Sequence, residues 1–151
     1  MIAAERVDAL RKLARQERGF AIVSTTRADG SIQSSLVNAG VMDHPSIGEP
    51  VVAYVARGRT AKLAHLRKRP QSAVVFRAGG SWLSVEGVSE LAGPDDPASW
   101  LQPEALPQLL RDVFTAAGGT HDNWPEYDRV MATDRRCAVF VKIERLYGVV
   151  R

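Results

Sequence analysis

Residues 71–92, QSAVVFRAGGSWLSVEGVSELA, decide the fold. Two runs rich in valine and other strand formers flank a Gly79-Gly80 turn, which predicts an antiparallel hairpin with strands over 71–78 and 81–92. The second run is long for a strand, and Gly87 inside it predicts a bulge. Working outward, the neighbours repeat the pattern. GFAIVSTT (19–26) and SIQSSLVNAGVM (31–42) read as strands joined through Asp29-Gly30. VVAYVA (51–56) is a short buried-type strand, and RCAVFVKIE (136–144) and RLYGVV (145–150) close the chain. Helices are predicted at 3–18, where Val7, Leu10, Leu13 and Ala14 form one stripe, at 60–69, at 103–117 and at 124–132. Strands that follow one another through short turns pair antiparallel. Six or seven of them with few helices predict a mainly β protein, a small antiparallel barrel with peripheral helices in one domain over 1–151, the barrel itself occupying 19–150.

At 151 residues the chain is long enough to bury a core without staples. It has one cysteine, Cys137, and three scattered histidines, so neither an internal disulfide nor a Cys/His zinc site is expected. No apolar run reaches the ~18 residues of a membrane span, and the charged N-terminal stretch is unlike a secretion signal. The expected location is the cytoplasm. No Gly-rich strand-to-helix turn of the dinucleotide or P-loop type is present. Ser99, His121 and Asp122 make a poor triad, because nothing gives the serine an elbow or the histidine an orienting partner.

Charge is concentrated in one place. Residues 57–69 hold Arg57, Arg59, Lys62, Arg67, Lys68 and Arg69, six of the chain's 20 basic residues and none of its 17 acids. The rest of the chain is therefore net acidic, which disfavours nucleic acid and suits a small anionic ligand. Arg57-Gly58-Arg59-Thr60-Ala61-Lys62 lies between a strand and a helix start, with Thr60 as N-cap. Free N–H groups and the positive helix end there attract anions. Cations at that end cost about 0.3–1 kcal/mol each until an anion binds. Arg67, Lys68 and Arg69 fall in the last helical turn, where cations are favourable without any ligand. On the residues alone, an anion site and a solvated loop both remain open. Gln33, Ser35 and Val37 alternate with Ser34, Leu36 and Asn38 along the second strand, where polar groups can meet either a polar ring or solvent. Trp82 can stack on a flat ligand or fill a core or interface. His65 reads as a surface helix residue and Cys137 as buried.

The runs STTRADGSIQSSLVNAGV, RTAKLAHLRKRPQSAVVF, GGSWLSVEGVSEL and YDRVMATDRRCAVFVKIERLYGV resemble, in order, the pyridoxamine-phosphate-oxidase-like superfamily of flavin and deazaflavin oxidoreductases. They are most similar to its branch of small actinobacterial reductases that use coenzyme F420. The resemblance runs through about residues 19–150; its most specific pieces are Ala61, Lys62, Leu66 and Arg67 followed by Pro70, Glu86-Gly87, and Thr133-Asp134-Arg135-Arg136. It implies an antiparallel split β-barrel of the FMN-binding type, working as a homodimer with cofactor grooves between subunits. It implies that Lys62, with Arg57, Arg59, Thr60 and Ala61, holds a cofactor phosphate. It implies further that Gln33, Ser35, Val37 and Asn38 run along the ring system and that Trp82 lies near the ring or tail. One departure stands out: related sequences often carry arginine two residues before the lysine, where this chain has Thr60, with Arg59 beside it. The helix from 60 to 69 spans ~14 Å, a basic stripe that suits the longer anionic tail of F420 better than FMN. The expected activity is hydride transfer from reduced F420 to a planar unsaturated acceptor of quinone, enone or tetrapyrrole type. An FMN enzyme of the same fold and a non-catalytic F420 or tetrapyrrole carrier are the alternatives.

Overall fold

The computed structural model describes residues 2–151. Helix α1 (Ala4–Gln16) precedes strands β1 (Phe20–Thr26), β2 (Ile32–Asp43) and β3 (Pro50–Ala56). Helix α2 (Ala61–Lys68) follows, then β4 (Gln71–Ala78) and β5 (Ser81–Ala92). A 3-10 turn at Pro103–Ala105 leads into α3 (Leu106–Ala116), then come α4 (Trp124–Thr133), β6 (Cys137–Lys142) and β7 (Arg145–Val149). Every pairing is antiparallel, and the order β4-β1-β2-β3-β6-β5 closes on itself through β4–β5, giving a six-stranded barrel with β7 added to β5.

The barrel is split because two long strands change partners along their length. Residues 32–38 of β2 pair with β1, whereas Ala39–Asp43 pair with β3. Likewise 82–86 of β5 pair with β7, and Ser89–Ala92 pair with β6. The change in β5 falls at Gly87, where a Cβ would stand 1.8 Å from the Lys142 carbonyl oxygen. Only glycine lets the β6 end approach so closely; the bulge expected at Gly87 is absent, since β5 keeps an unbroken register with β4 through Ser72↔Gly87 and Gln71↔Val88.

Inward-facing side chains, among them Val23, Val37, Tyr54, Val74, Phe76, Val85 and Val139, fill the barrel, and Leu10 and Leu13 of α1 and Leu63 and Leu66 of α2 complete this core. Each fully buried aliphatic side chain contributes about 1.5–3 kcal/mol. A second core lies outside the barrel. There Leu109, Leu110, Val113 and Tyr127 of α3 and α4 cover Val51, Ala53, Ala138 and Phe140. The opposite outer face has no helix over its exposed positions among the described residues. Leu36, Ile22, Val75, Ser84 and Tyr147 are successive cross-strand partners over β2-β1-β4-β5-β7, and Leu36, Ile22 and Tyr147 are exposed. Among the described residues no helix is long and apolar enough to cross a membrane.

Candidate functional site

The link from β3 to α2 is pinned before it reaches the helix. Gly58 donates its N–H to the Asp134 carbonyl at 3.0 Å, and a Cβ on it would come within 2.5 Å of the Arg135 carbonyl. Arg59 then takes a left-handed backbone conformation with φ 63°, which costs a non-glycine residue about 1 kcal/mol. Thr60 occupies the N-cap position, but its side chain makes no capping bond and its Oγ1 is buried with no hydrogen-bond partner. The first turn of α2 contains no acid. Next to it Lys62 is half-buried, with Nζ 5.7 Å from the centre of the Tyr54 ring. Burial pulls its pKa below the ordinary lysine value, because the charged form has lost water. Among the described residues no carboxylate comes within ion-pair distance of it. The Tyr54 hydroxyl is also buried without a partner, and burial pushes its ionisation upward.

A desolvated lysine and an orphaned hydroxyl at a helix start cost stability as they stand. An anion bearing acceptor oxygens would satisfy both. The residues present thus fit a cofactor phosphate. Gln33, Ser35 and Val37 share the inner face of β2, and the Gln33 side-chain carbonyl is likewise buried without a partner.

Three other cations of the window are engaged elsewhere, while Lys68 at the end of α2 is exposed. Arg67 makes two 2.8 Å bonds to the Asp96 carboxylate, and Arg69 donates to the Thr26 carbonyl at 3.0 Å. Arg57, largely exposed, lies 3.8 Å from Asp134. Arg135, from the adjoining turn, is bonded to Asp95. The basic stripe expected from Arg57 to Arg69 is therefore broken rather than continuous: Asp134 faces Arg57 and Asp96 takes Arg67, leaving Arg59 and Lys62 at the helix start and Lys68 and Arg69 at its end without an ion pair among the described residues. His65, expected on the surface, is half-buried and shares a 2.9 Å hydrogen bond with Thr25 Oγ1. Cys137 is buried as expected, which pushes its thiol up to about 12.

Asn38 faces the other side of β2 from Gln33, and there it lines a cleft of about 460 Å³ between the barrel wall and α3–α4. Phe20, Val55, Phe114, Tyr127 and Met131 form its walls, with Arg18 and Arg136 among its lining residues. Asp134 links this cleft to the α2 loop: it holds Arg136 at 3.1 Å and faces Arg57. Of the ten residues singled out from the sequence, only Asn38 lines the cleft. Arg57, Arg59, Thr60, Ala61 and Lys62 gather at the start of α2. Trp82 stands apart, exposed, with its ring edge-on to Tyr147 at 6.2 Å. The cleft was not visible in the sequence because its lining comes from positions more than a hundred residues apart, of which only Asn38 and Arg136 belong to the candidate site residues or the most specific motifs. The helical stripe bearing Phe114 was visible, but not what it faced.

No family model matches the chain. Solved structures do. A pyridoxamine 5'-phosphate oxidase-related, FMN-binding protein of Nostoc punctiforme superposes with a TM-score of 0.68 at 13% identity, over 97% of this chain and 84% of that one. A conserved hypothetical protein of Mycobacterium tuberculosis gives 0.65 at 18% identity, over 98% and 84%. A heme-binding protein of Mycobacterium smegmatis gives 0.66 at 11% identity, over 99% and 55%. At these identities the likeness is one of fold: the chain has the split-barrel architecture of the pyridoxamine-phosphate-oxidase-like proteins.

Proposed function

We propose that the chain is an oxidoreductase that binds a phosphate-bearing flavin-type cofactor at the start of α2 and reduces a planar unsaturated acceptor, with F420 as the cofactor. The observation that carries this reading is Lys62: a half-buried cation with no carboxylate partner, beside the unpartnered Thr60 hydroxyl. Lys62 Nζ and Arg59 would bind the phosphate, Thr60 Oγ1 would donate to it, and the N–H groups of Ala61 and Lys62 would add the field of the helix end. When bound, the cofactor supplies the hydride for a conjugated acceptor. The protein's part is to orient and to exclude water. Val55 offers an apolar wall to a ring, and Asn38 offers an amide whose Nδ2 already donates to the Arg18 carbonyl at 2.7 Å. The Tyr127 hydroxyl is committed to the Leu110 carbonyl at 3.0 Å, so the cleft wall presents its ring.

The same reading includes a homodimer. The row from Leu36 to Tyr147, exposed at Leu36, Ile22 and Tyr147, with the exposed Trp82 and Val149 beside it, is a largely apolar sheet face that a second copy would cover. In this reading Trp82 serves that face.

FMN is the second reading, and one observation favours it. With Arg67 held by Asp96, the cationic surface is broken, which suits a single phosphate as well as a polyanionic tail. Difference spectroscopy of the purified protein against FMN, FAD and F420 separates the readings. A shifted and quenched F420 spectrum, with oxidation of reduced F420 by a quinone or enone, is expected. Flavin retained through dialysis would favour the FMN enzyme. Tight binding with no turnover on any acceptor would favour a carrier, and no spectral change with any of the three would overturn the proposal.

A further inference from the structure

Two arginines beside the cleft have no carboxylate partner, and one of them is held in an unusual conformation. Arg11, Arg57, Arg67, Arg111, Arg129, Arg135, Arg136 and Arg145 each lie within 4.0 Å of an Asp or Glu oxygen. Among the described residues the other eight arginines do not, and of these Arg15 and Arg18 line the cleft or the cavity next to it. Arg15 ends α1, where a cation is favourable in any case. Arg18 lies beyond the helix, with φ 57°. Its backbone is clamped on both sides: its N–H donates to the Arg15 carbonyl at 3.2 Å, and its own carbonyl accepts from Asn38 Nδ2 at 2.7 Å. That conformation closes the C-terminus of α1, where Gly19 donates its N–H to the Ala14 carbonyl at 2.8 Å, and it fixes where the exposed Arg18 side chain leaves the backbone.

Arg18 also joins two cavities. It lines the 460 Å³ cleft, whose walls include the rings of Phe20, Phe114 and Tyr127 and the Met131 thioether. It lines a neighbouring cavity of about 310 Å³ together with Arg11 and Arg15. Gly118 borders both. The two cavities thus meet at Arg18 and Gly118, one lined by aromatic and apolar side chains and the other by Arg15 and the Asp43-paired Arg11, with an unpaired guanidinium between them. A neutral planar ligand would use only the aromatic cavity, and an inorganic anion only the basic one.

We infer that the paired cavities bind a planar aromatic or conjugated molecule bearing a carboxylate, with its rings between Phe114 and Phe20 and its carboxylate on Arg18. Taken with the proposed reductase activity, this makes the acceptor a carboxylate-bearing one, and only that extension rests on the cofactor reading. Binding itself needs no cofactor, so it can fail while the Lys62 site stands, and the reverse.

The test titrates the protein without cofactor with 2-naphthoate and with its neutral counterpart 2-naphthamide, followed by protein NMR shifts. Naphthoate should bind saturably and at least about 10-fold more tightly than the amide, as a charge-assisted pair gives. Arg18→Asn should abolish that preference while leaving amide binding unchanged, since asparagine tolerates the left-handed backbone. Arg18→Lys, which keeps the charge without the planar fork, should retain part of it, and Lys62→Met should leave it intact. No saturable binding of naphthoate, equal affinity for acid and amide, or a preference that survives Arg18→Asn in a folded protein would each overturn the inference.

Discussion

Replacing Lys62 with methionine separates a binding lysine from a structural one. Methionine keeps most of the buried stem and removes the charge. The free protein loses the contact of Nζ with the Tyr54 ring, worth about 0.5–1 kcal/mol. It also loses the desolvation burden that depresses the Lys62 pKa, so the two changes oppose each other. Stability without ligand should move by less than about 1 kcal/mol, a melting shift of about 2–4 °C at most for a chain of this size. Ligand binding should suffer far more. Losing a charge-assisted bond to phosphate costs about 1.5–3 kcal/mol, or roughly 10- to 100-fold in Kd. Linkage makes both readable in one urea titration. At 100 times its Kd, a cofactor stabilises the wild type by about 2.7 kcal/mol, and a variant weakened about 30-fold gains under about 1 kcal/mol at that concentration. The reasoning is refuted if Lys62→Met loses more than about 3 kcal/mol without ligand while its gain from FMN or F420 matches the wild type's.

Other expectations follow from the same structure. Because the Lys62 pKa is lowered on folding, the unfolded chain holds that proton to higher pH; the lysine's contribution to the stability of the free protein should therefore rise between its depressed pKa and the ordinary lysine value near 10.5. Subtracting the Lys62→Met profile from the wild-type profile isolates it, and a flat difference contradicts the assignment. Cys137 has the opposite sign. Its thiol is raised from 9.0 to about 12, so its contribution is complete below pH 9 and falls away as pH rises toward 12; the stability of Cys137→Ala should decline less steeply over that window. Gly87→Ala drives a methyl against the Lys142 carbonyl and should cost about 3 kcal/mol or more, read as lost soluble protein or a collapsed melting temperature. Leu36→Asp, on the exposed row, should leave the melting curve of the monomer intact and shift a dimer to monomer in light scattering; a monomeric wild type contradicts the homodimer.

The barrel was legible because its signals are local. Gly79-Gly80 and Asp29-Gly30 announce hairpins, alternation along β2 separates Val37 from Leu36, and Gly87 marks the place where β5 changes partners. The α2 start was legible too, as acid-free cationic sequence before a helix. What escaped were contacts between residues far apart in the chain. Asp95 and Asp96 look like an ordinary acidic turn, yet they claim Arg135 and Arg67 and break the basic surface. Thr60 carries the composition of a helix cap, but its hydroxyl caps nothing. His65 follows the exposed-face pattern of a short helix, and only the closure of β1 against α2 brings Thr25 to it. Arg18 gave no signal at all, because its interest lies in a backbone angle and in two cavities that meet at it.

A crystal structure grown with F420, and a second with FMN, tests the central claim most directly. Phosphate oxygens within about 3.2 Å of Lys62 Nζ and Thr60 Oγ1, with the ring system toward Asn38 and Val55, are the predicted result. A cofactor bound elsewhere, with Lys62 still resting on Tyr54 and the Thr60 hydroxyl still unpartnered, would contradict it.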